Sequence, residues 1–382
     1  MGSKYSGMTH QGEQADDLSS PARAYAKICV IGAGAWGTAL ASVARRAGRE
    51  TALWGRDQVT VEAINSRNEN PKYLPGISLP DGIAAITSMA KALEGAEAVL
   101  LVTPSRTLRA ICTQMRPHLA QGVPIALCAK GIEAGSGYLL SEVASEMLPG
   151  HRIGALSGPT FATETALGHL TAATIAFQFS YADRLDTASS PAARLALSMG
   201  SEFFRPYISD DLVGVEVSGA VKNVIAIACG MMTGAGYAEN TRAALIARGM
   251  DEMKTLADVF GGRRETVTGL AGAGDLTLTC SSQTSRNMSL GVQLGKGIAR
   301  EKCFDGKAVV VEGEVNSVSV MDLARRMNIR MPICESVYRI LHQGADVRET
   351  FAELWSRPIE SERRGLSISL DHPIAMAAEA AE

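Results

Sequence analysis

Six residues near the start of the chain, Gly32-Ala33-Gly34-Ala35-Trp36-Gly37, constrain the fold more than any other feature. They follow a short apolar run at 27–32 and open a stretch of helical spacing that continues to about residue 47. A second apolar run follows at 50–55. A GxGxxG segment between a strand and a helix, with another strand behind it, is the dinucleotide-binding pattern. Each glycine has its own physical reason. Gly32 permits the tight turn out of the strand. Gly34 lets backbone approach a pyrophosphate, whose charge meets free N–H groups at the helix start. Gly37 lets the helix pack close to the strand.

Apolar runs recur at 83–87, 97–103, 124–129 and 152–157, and segments such as 106–119 and 138–148 between them read as helices. Strands alternating with helices predict βαβ units and a mostly parallel sheet. The runs are apolar almost throughout, which predicts a sheet covered on both faces. Two further strands are expected at 171–179 and 202–208, with a polar, turn-rich surface loop at 180–190 between them. After residue 211 the strands are expected to stop. Segments 217–232, 240–260, 314–327 and 332–342 read as helices; in the last, Ile333, Val337, Ile340 and Leu341 share one face. The expected architecture is a Rossmann-like α/β domain over 27–211 followed by an all-helical domain over 212–365. A total of 382 residues suits two domains. Residues 1–26, small and polar, read as a disordered extension, and 366–382 as a loosely held tail.

Lys and Arg number 37 against 40 Asp and Glu, a formal charge of -3. That balance argues against a nucleic-acid or anionic-membrane partner and leaves room for a local basic site suited to a small anion. No uncharged apolar run reaches the ~18 residues of a membrane span. The nearest, 217–238, contains Lys222. The seven cysteines are scattered, with no redox or zinc spacing, and the six histidines form no metal motif. Reduced core thiols, a metal-free site and a cytoplasmic setting are therefore expected.

Several segments offer chemistry. Lys222 is the only charge between Val217 and Ala238. Burial disfavours its charged form and moves it toward general acid/base use, although the same spacing suits a lysine that snorkels to solvent. Asn223 beside it can donate or accept a hydrogen bond. Lys130 follows the strand at 124–129, and ligands of doubly wound sheets sit at carboxyl strand ends. Ser157-Gly158-Pro159-Thr160-Phe161-Ala162 ends the next strand with backbone N–H groups and a hydroxyl. Gly269-Leu270-Ala271-Gly272-Ala273-Gly274-Asp275 brings a carboxylate on a glycine loop. Ser285-Arg286-Asn287 places a guanidinium at a helix start, a good phosphate site that is also an ordinary capped helix. The second strand ends Trp54-Gly55-Arg56-Asp57. Arg56 stands where a cation meets a 2′-phosphate, which favours NADP, while Asp57 keeps NAD open.

Taken in order, these segments resemble the bacterial-type NAD(P)-dependent glycerol-3-phosphate dehydrogenases from about residue 27 to about 355. The resemblance rests on GAGAWGTA at 32–39, CAKGIE at 128–133, SGPTFA at 157–162 and GAVKNVIAIA at 219–228. It continues through NTRAALIARG at 240–249, GLAGAGDLTLTC at 269–280, Ser285-Arg286-Asn287 and VVEG at 310–313. It implies reversible reduction of dihydroxyacetone phosphate to sn-glycerol 3-phosphate, feeding glycerophospholipid synthesis. By resemblance Lys222 is the acid/base, Lys130 touches cofactor and substrate, and Gly158 and Thr160 contact substrate. Asp275, Ser285, Arg286 and Asn287 complete the substrate shell, with Arg286 also near the cofactor. Ala35, Trp36, Arg56, Ala162, Val310 and Glu312 match cofactor contacts. Cys128-Ala129, Asn316-Ser317 and the long 180–190 loop depart from the usual pattern. A β-hydroxyacid or 6-phosphogluconate-type dehydrogenase shares the two-domain plan, and a non-catalytic dinucleotide sensor shares the first domain. The expected partner is one small phosphorylated substrate; the apolar second-domain helices leave a homodimer open.

Overall fold

The computed structural model describes residues 22–360 and 369–370. The first domain contains β1 (Lys27–Ile31), β2 (Glu50–Trp54), the short pair β3 (Glu69–Asn70) and β4 (Leu74–Ser78), and β5 (Ile83–Ile86). It continues with β6 (Ala98–Leu101), β7 (Ile125–Leu127), β8 (Ile153–Ser157), β9 (Thr171–Phe177) and β10 (Phe204–Ser209). Eight of these form one sheet in the order β10-β9-β8-β7-β6-β1-β2-β5. All neighbours run parallel except β8 and β9. The alternation hidden inside the apolar runs is now visible. Ile28, Val30, Leu100 and Ala126 face one core, while Cys29, Ile31, Val99, Leu101 and Ile125 face the other. The chain leaves β1 for β2 on one side and later returns to β6 on the other. That switch opens a crevice at the carboxyl ends of β1 and β6.

The second domain is built around the central helix Leu212–Gly234. By length and composition this helix is apolar enough to cross a membrane, yet 94% of its apolar 18-residue window is buried inside the fold. Other helices surround it, so it is apolar on every side. Asp211 starts it earlier than the apolar run predicts. Its carboxylate accepts from the Gly214 N–H at 2.9 Å and from the Arg263 N–H at 2.8 Å.

The closest packing joins the central helix to the helix Arg286–Gly295. A Cβ at Gly230 would lie 2.3 Å from the Met288 carbonyl oxygen, and one at Gly291 2.2 Å from that of Ile227. One turn on, Gly234 and Gly295 repeat the arrangement against the Val292 and Met231 oxygens at 2.1 and 2.0 Å. Backbone therefore meets backbone at two successive levels. This contact fixes the start of the second helix, where Arg286 and Asn287 stand, against the turn that carries Lys222 and Asn223.

Three expectations need correction, and one hairpin had no sequence signal. The 180–190 segment is not an open loop: it folds into the helix Tyr181–Leu185, in which Ser180 and Asp183 cap each other. Asp183 is buried and accepts from Arg152 at 2.7 Å, a reciprocal cap that polar composition concealed. Strands also do not stop at 211, because β11 (Ile359–Glu360) pairs antiparallel with β12 (Ser369–Leu370), reaching into the expected tail. The β3–β4 hairpin is too short to show a strand pattern. Within the expected extension, Tyr25 is buried; its N–H donates to Ser198 Oγ at 2.7 Å and its ring lies 4.0 Å from the Arg194 guanidinium. Residues 1–21 of that extension and most of the tail lie outside the described residues. All seven cysteines are buried and unpaired.

The helix crossing predicts that Gly291→Ala destabilises the chain by at least the ~1–3 kcal/mol of ordinary overpacking, since no side chain can move aside. Chemical denaturation checks this; an unchanged midpoint would show that the two backbones separate freely.

Candidate active site

The crevice at β1 and β6 opens into a cleft of about 920 Å³. Gly32, Gly34, Ala35, Trp36 and Gly37 line it, with Arg56, Thr160, Ala162, Arg286 and Glu312 from elsewhere in the chain. Gly32 has a φ of +122° and carries the chain from β1 into the helix Ala35–Arg46. A Cβ at Gly37 would fall 1.8 Å from the Gly32 carbonyl oxygen, whereas one at Gly34 would meet nothing within 4 Å. Gly37 thus closes the helix onto the loop, and Gly34 faces open space. The helix has neither a side-chain cap nor an acidic residue in its first turn. Its first N–H groups remain available to an anion. These features fit a dinucleotide pyrophosphate.

At the far end, beyond β2, Arg56 is exposed and has no hydrogen-bond or ion-pair partner among the described residues. Asp57 differs. It caps the next helix, accepting from the Val59 N–H at 3.2 Å and the Thr60 hydroxyl at 2.8 Å, and it pairs with Lys72 at 2.9 Å. Lys72 and Tyr73 also line the cleft.

Lys222 and Lys130 meet on a single carboxylate. Asp275 Oδ1 lies 2.6 Å from Lys222 Nζ and Oδ2 lies 2.5 Å from Lys130 Nζ. Lys222 comes from the central helix and Lys130 from the end of β7, so the carboxylate joins both domains. The glycine loop delivers Asp275 through a π-helical turn, Leu270–Gly274, and Asp275 then begins the helix Asp275–Ser281. A π-turn of this kind often marks a functional site. Thr279, one turn later, accepts from Lys222 at 2.8 Å. Burial pushes the Lys222 ammonium down to about 8, against the pull of Asp275 and with the push of Lys130. For Asp275, burial alone would raise the carboxyl, but the two ammonium groups hold it below its ordinary value. The stem of Lys130 crosses the central helix at Gly219, where a Cβ would come within 3.1 Å of Lys130 Cγ.

The three residues at 285–287 separate in role. Arg286 is exposed on the cleft wall. Ser285 accepts from the Met288 N–H at 3.3 Å and caps the helix. The Asn287 amide donates to Asn223 Oδ1 at 2.9 Å, and its oxygen accepts from the Gly313 N–H at 2.9 Å. Asn223 in turn donates to Glu312 at 3.4 Å. The two asparagines therefore tie the lysine helix, the arginine helix and the cleft-lining Glu312 together. Gly158 does not border the large cleft; a Cβ there would lie 2.9 Å from Ala173 Cα, so its smallness serves the crossing with β9. Val310 does not border it either, since only the turn that begins at Glu312 reaches the wall. The lysine pair and Asp275 lie outside its lining too, Lys130 bordering instead a space of about 10 Å³ shared with Ser157 and Glu216.

Sequence reasoning missed Thr279, Lys72, Tyr73 and Thr284. Thr279 was within reach, since a hydroxyl four residues after Asp275 falls on the same helix face. Nothing local signals Lys72, fifteen positions from its carboxylate partner.

Two family models match the chain, the NAD-dependent glycerol-3-phosphate dehydrogenase N-terminus over residues 27–182 and its C-terminus over 211–352. A glycerol-3-phosphate dehydrogenase [NAD(P)+] of Rhodospirillum rubrum is 47% identical over 351 residues, covering 92% of this chain and 97% of that protein. One from Caulobacter vibrioides is 46% identical, covering 88% and 99%. The crystal structure of the glycerol-3-phosphate dehydrogenase of Coxiella burnetii superposes with a TM-score of 0.79 at 37% identity, covering 88% of this chain and 100% of the other. With the dinucleotide cleft, the two-domain plan and the motif order in agreement, the chain belongs to the NAD-dependent glycerol-3-phosphate dehydrogenase family.

Proposed function

We propose that this chain catalyses the reversible NAD(P)H-dependent reduction of dihydroxyacetone phosphate to sn-glycerol 3-phosphate, supplying glycerophospholipid synthesis. The observation that carries this reading is the pair of lysines, Lys222 buried and Lys130 partly buried, shared by the buried Asp275 beside the dinucleotide cleft. The loop at Gly32–Gly37 would hold NAD(P)H, which would supply the hydride for the C2 carbonyl carbon. Lys222 gives the proton that the forming alkoxide needs, and takes it back in the reverse direction. An ammonium group has three donors. Asp275 and Thr279 engage two of them, which leaves the third for the substrate oxygen. A lysine pushed down to about 8 is still largely protonated at neutral pH and gives up its proton more readily than a free one. Lys130 adds positive charge beside the same oxygen. The guanidinium of Arg286, which has no hydrogen-bond or ion-pair partner among the described residues, suits the phosphate, and that remote contact orients the reacting carbon.

At the adenosine end, unpaired Arg56 together with the engaged Asp57 supports a preference for NADP over NAD. The seven unpaired cysteines support a reducing, cytoplasmic setting.

Oxidation of NADPH, followed at 340 nm, should require dihydroxyacetone phosphate. No turnover with folded protein, or turnover only with 6-phosphogluconate and NADP, refutes the substrate. Lys222→Met should retain NADPH binding, read by nucleotide fluorescence, and lose ~10²–10⁴-fold in kcat; near-normal turnover removes the acid/base role. In the wild type, the reductive kcat/KM should fall as pH rises through about 8, because reduction needs the protonated lysine. Arg56→Ala should lower kcat/KM for NADPH more than for NADH. An unchanged ratio withdraws the argument for NADP.

A further inference from the structure

The adenosine end of the cleft holds an ion pair that the reaction itself does not use. An acid at the end of the second strand recognises NAD by offering its oxygens to the ribose hydroxyls. Asp57 occupies that place, but Val59, Thr60 and Lys72 take three of the roughly four acceptor positions of its carboxylate. Lys72 stands at the tip of the β3–β4 hairpin, its ammonium 5.4 Å from the centre of the Tyr73 ring. The hairpin is anchored. Asn70 is fully buried, and its amide donates to the Ala33 carbonyl at 3.1 Å and to Thr38 Oγ1 at 2.8 Å. Its side-chain oxygen accepts from the Tyr73 N–H at 3.2 Å. Lys72 is thus positioned from the pyrophosphate loop itself, and it lines the same cleft as Arg56.

We propose that Lys72 is a specificity-determining residue with two effects: it engages the carboxylate that would otherwise recognise NAD, and it supplies, with Arg56, a second cation for the 2′-phosphate of NADP. This rests on the NADP preference argued above. The pair works as an exchange. A bound 2′-phosphate draws the ammonium from Asp57, which keeps its two helix-cap contacts. Without that phosphate, the ammonium stays on Asp57 and the ribose hydroxyls find few acceptors.

The test is calorimetric titration of the full chain with adenosine 2′,5′-bisphosphate and with adenosine 5′-monophosphate, alongside kcat/KM for NADPH and NADH. Wild type, Lys72→Met, Lys72→Arg and Arg56→Ala are compared, with thermal melts to show that each folds. Lys72→Met should weaken the bisphosphate by ~10- to 100-fold, the range of a charge-assisted contact, while the monophosphate binds as well or better. Lys72→Arg, which keeps the charge, should restore most of the loss. Equal weakening of both probes by Lys72→Met, or no change in either, overturns the assignment. A wild type that binds both probes equally overturns the NADP preference itself, and the role of Lys72 with it; that outcome is read before any variant is made.

Discussion

Asp275 is the carboxylate on which the buried Lys222 ammonium and the partly buried Lys130 ammonium converge, and the rest of the active-site architecture serves that meeting. Two like charges in a low-dielectric site repel strongly unless an opposite charge lies between them. Lys130 arrives from the sheet and Lys222 from the helical core, so the charge that neutralises them also ties the two domains at the point where we propose that the chemistry occurs. The arrangement needs a carboxylate delivered at a defined depth. The π-helical turn supplies it, because the glycines on that turn let the backbone wind where side chains would collide: a Cβ at Gly272 would fall 2.0 Å from the Val267 carbonyl oxygen.

Around this centre, polar side chains join elements more than they decorate a pocket. Asn223, Asn287 and Glu312 link three helices in one chain of hydrogen bonds. Glu216 makes a comparable link across the seam between domains. Its carboxylate accepts from the Ser141 N–H at 2.9 Å and from the Ser141 hydroxyl, and burial raises it to about 7. Both sets satisfy buried polar groups with partners from a different element, which gives the cleft one geometry instead of many.

How much of this was legible in the sequence depends on the range of the interaction involved. Strands covered on both faces read directly as apolar runs, and the glycine fingerprint identified the cofactor end because each glycine answers a local requirement. Lys222 stood out as a lone charge in an apolar helix. Asp275 was marked by its glycine loop, but not its bond to both lysines, which joins positions far apart in the chain. Ser285 and Asn287 illustrate a second limit. Their chemistry suits a phosphate as well as a cap or an interhelix tie, and only the fold shows that both side chains are already engaged. The helix at 181–185 illustrates a third, since a reciprocal cap of two polar residues looks like a loop when composition alone is considered.

The double glycine contact between the central helix and the helix Arg286–Gly295 has a consequence for how such a chain can diverge. Most tight core positions adapt by paired change, a larger side chain being accommodated by a smaller neighbour. Here the neighbour of each glycine is a carbonyl oxygen of the opposing main chain, which no substitution can shrink. Four positions are therefore withheld from compensatory drift, and they lie on the same two helices that carry Lys222 and Arg286. The distance between the lysine and the arginine is held by a contact that has no side chains in it, and so is insulated from the variation that reshapes the rest of the core.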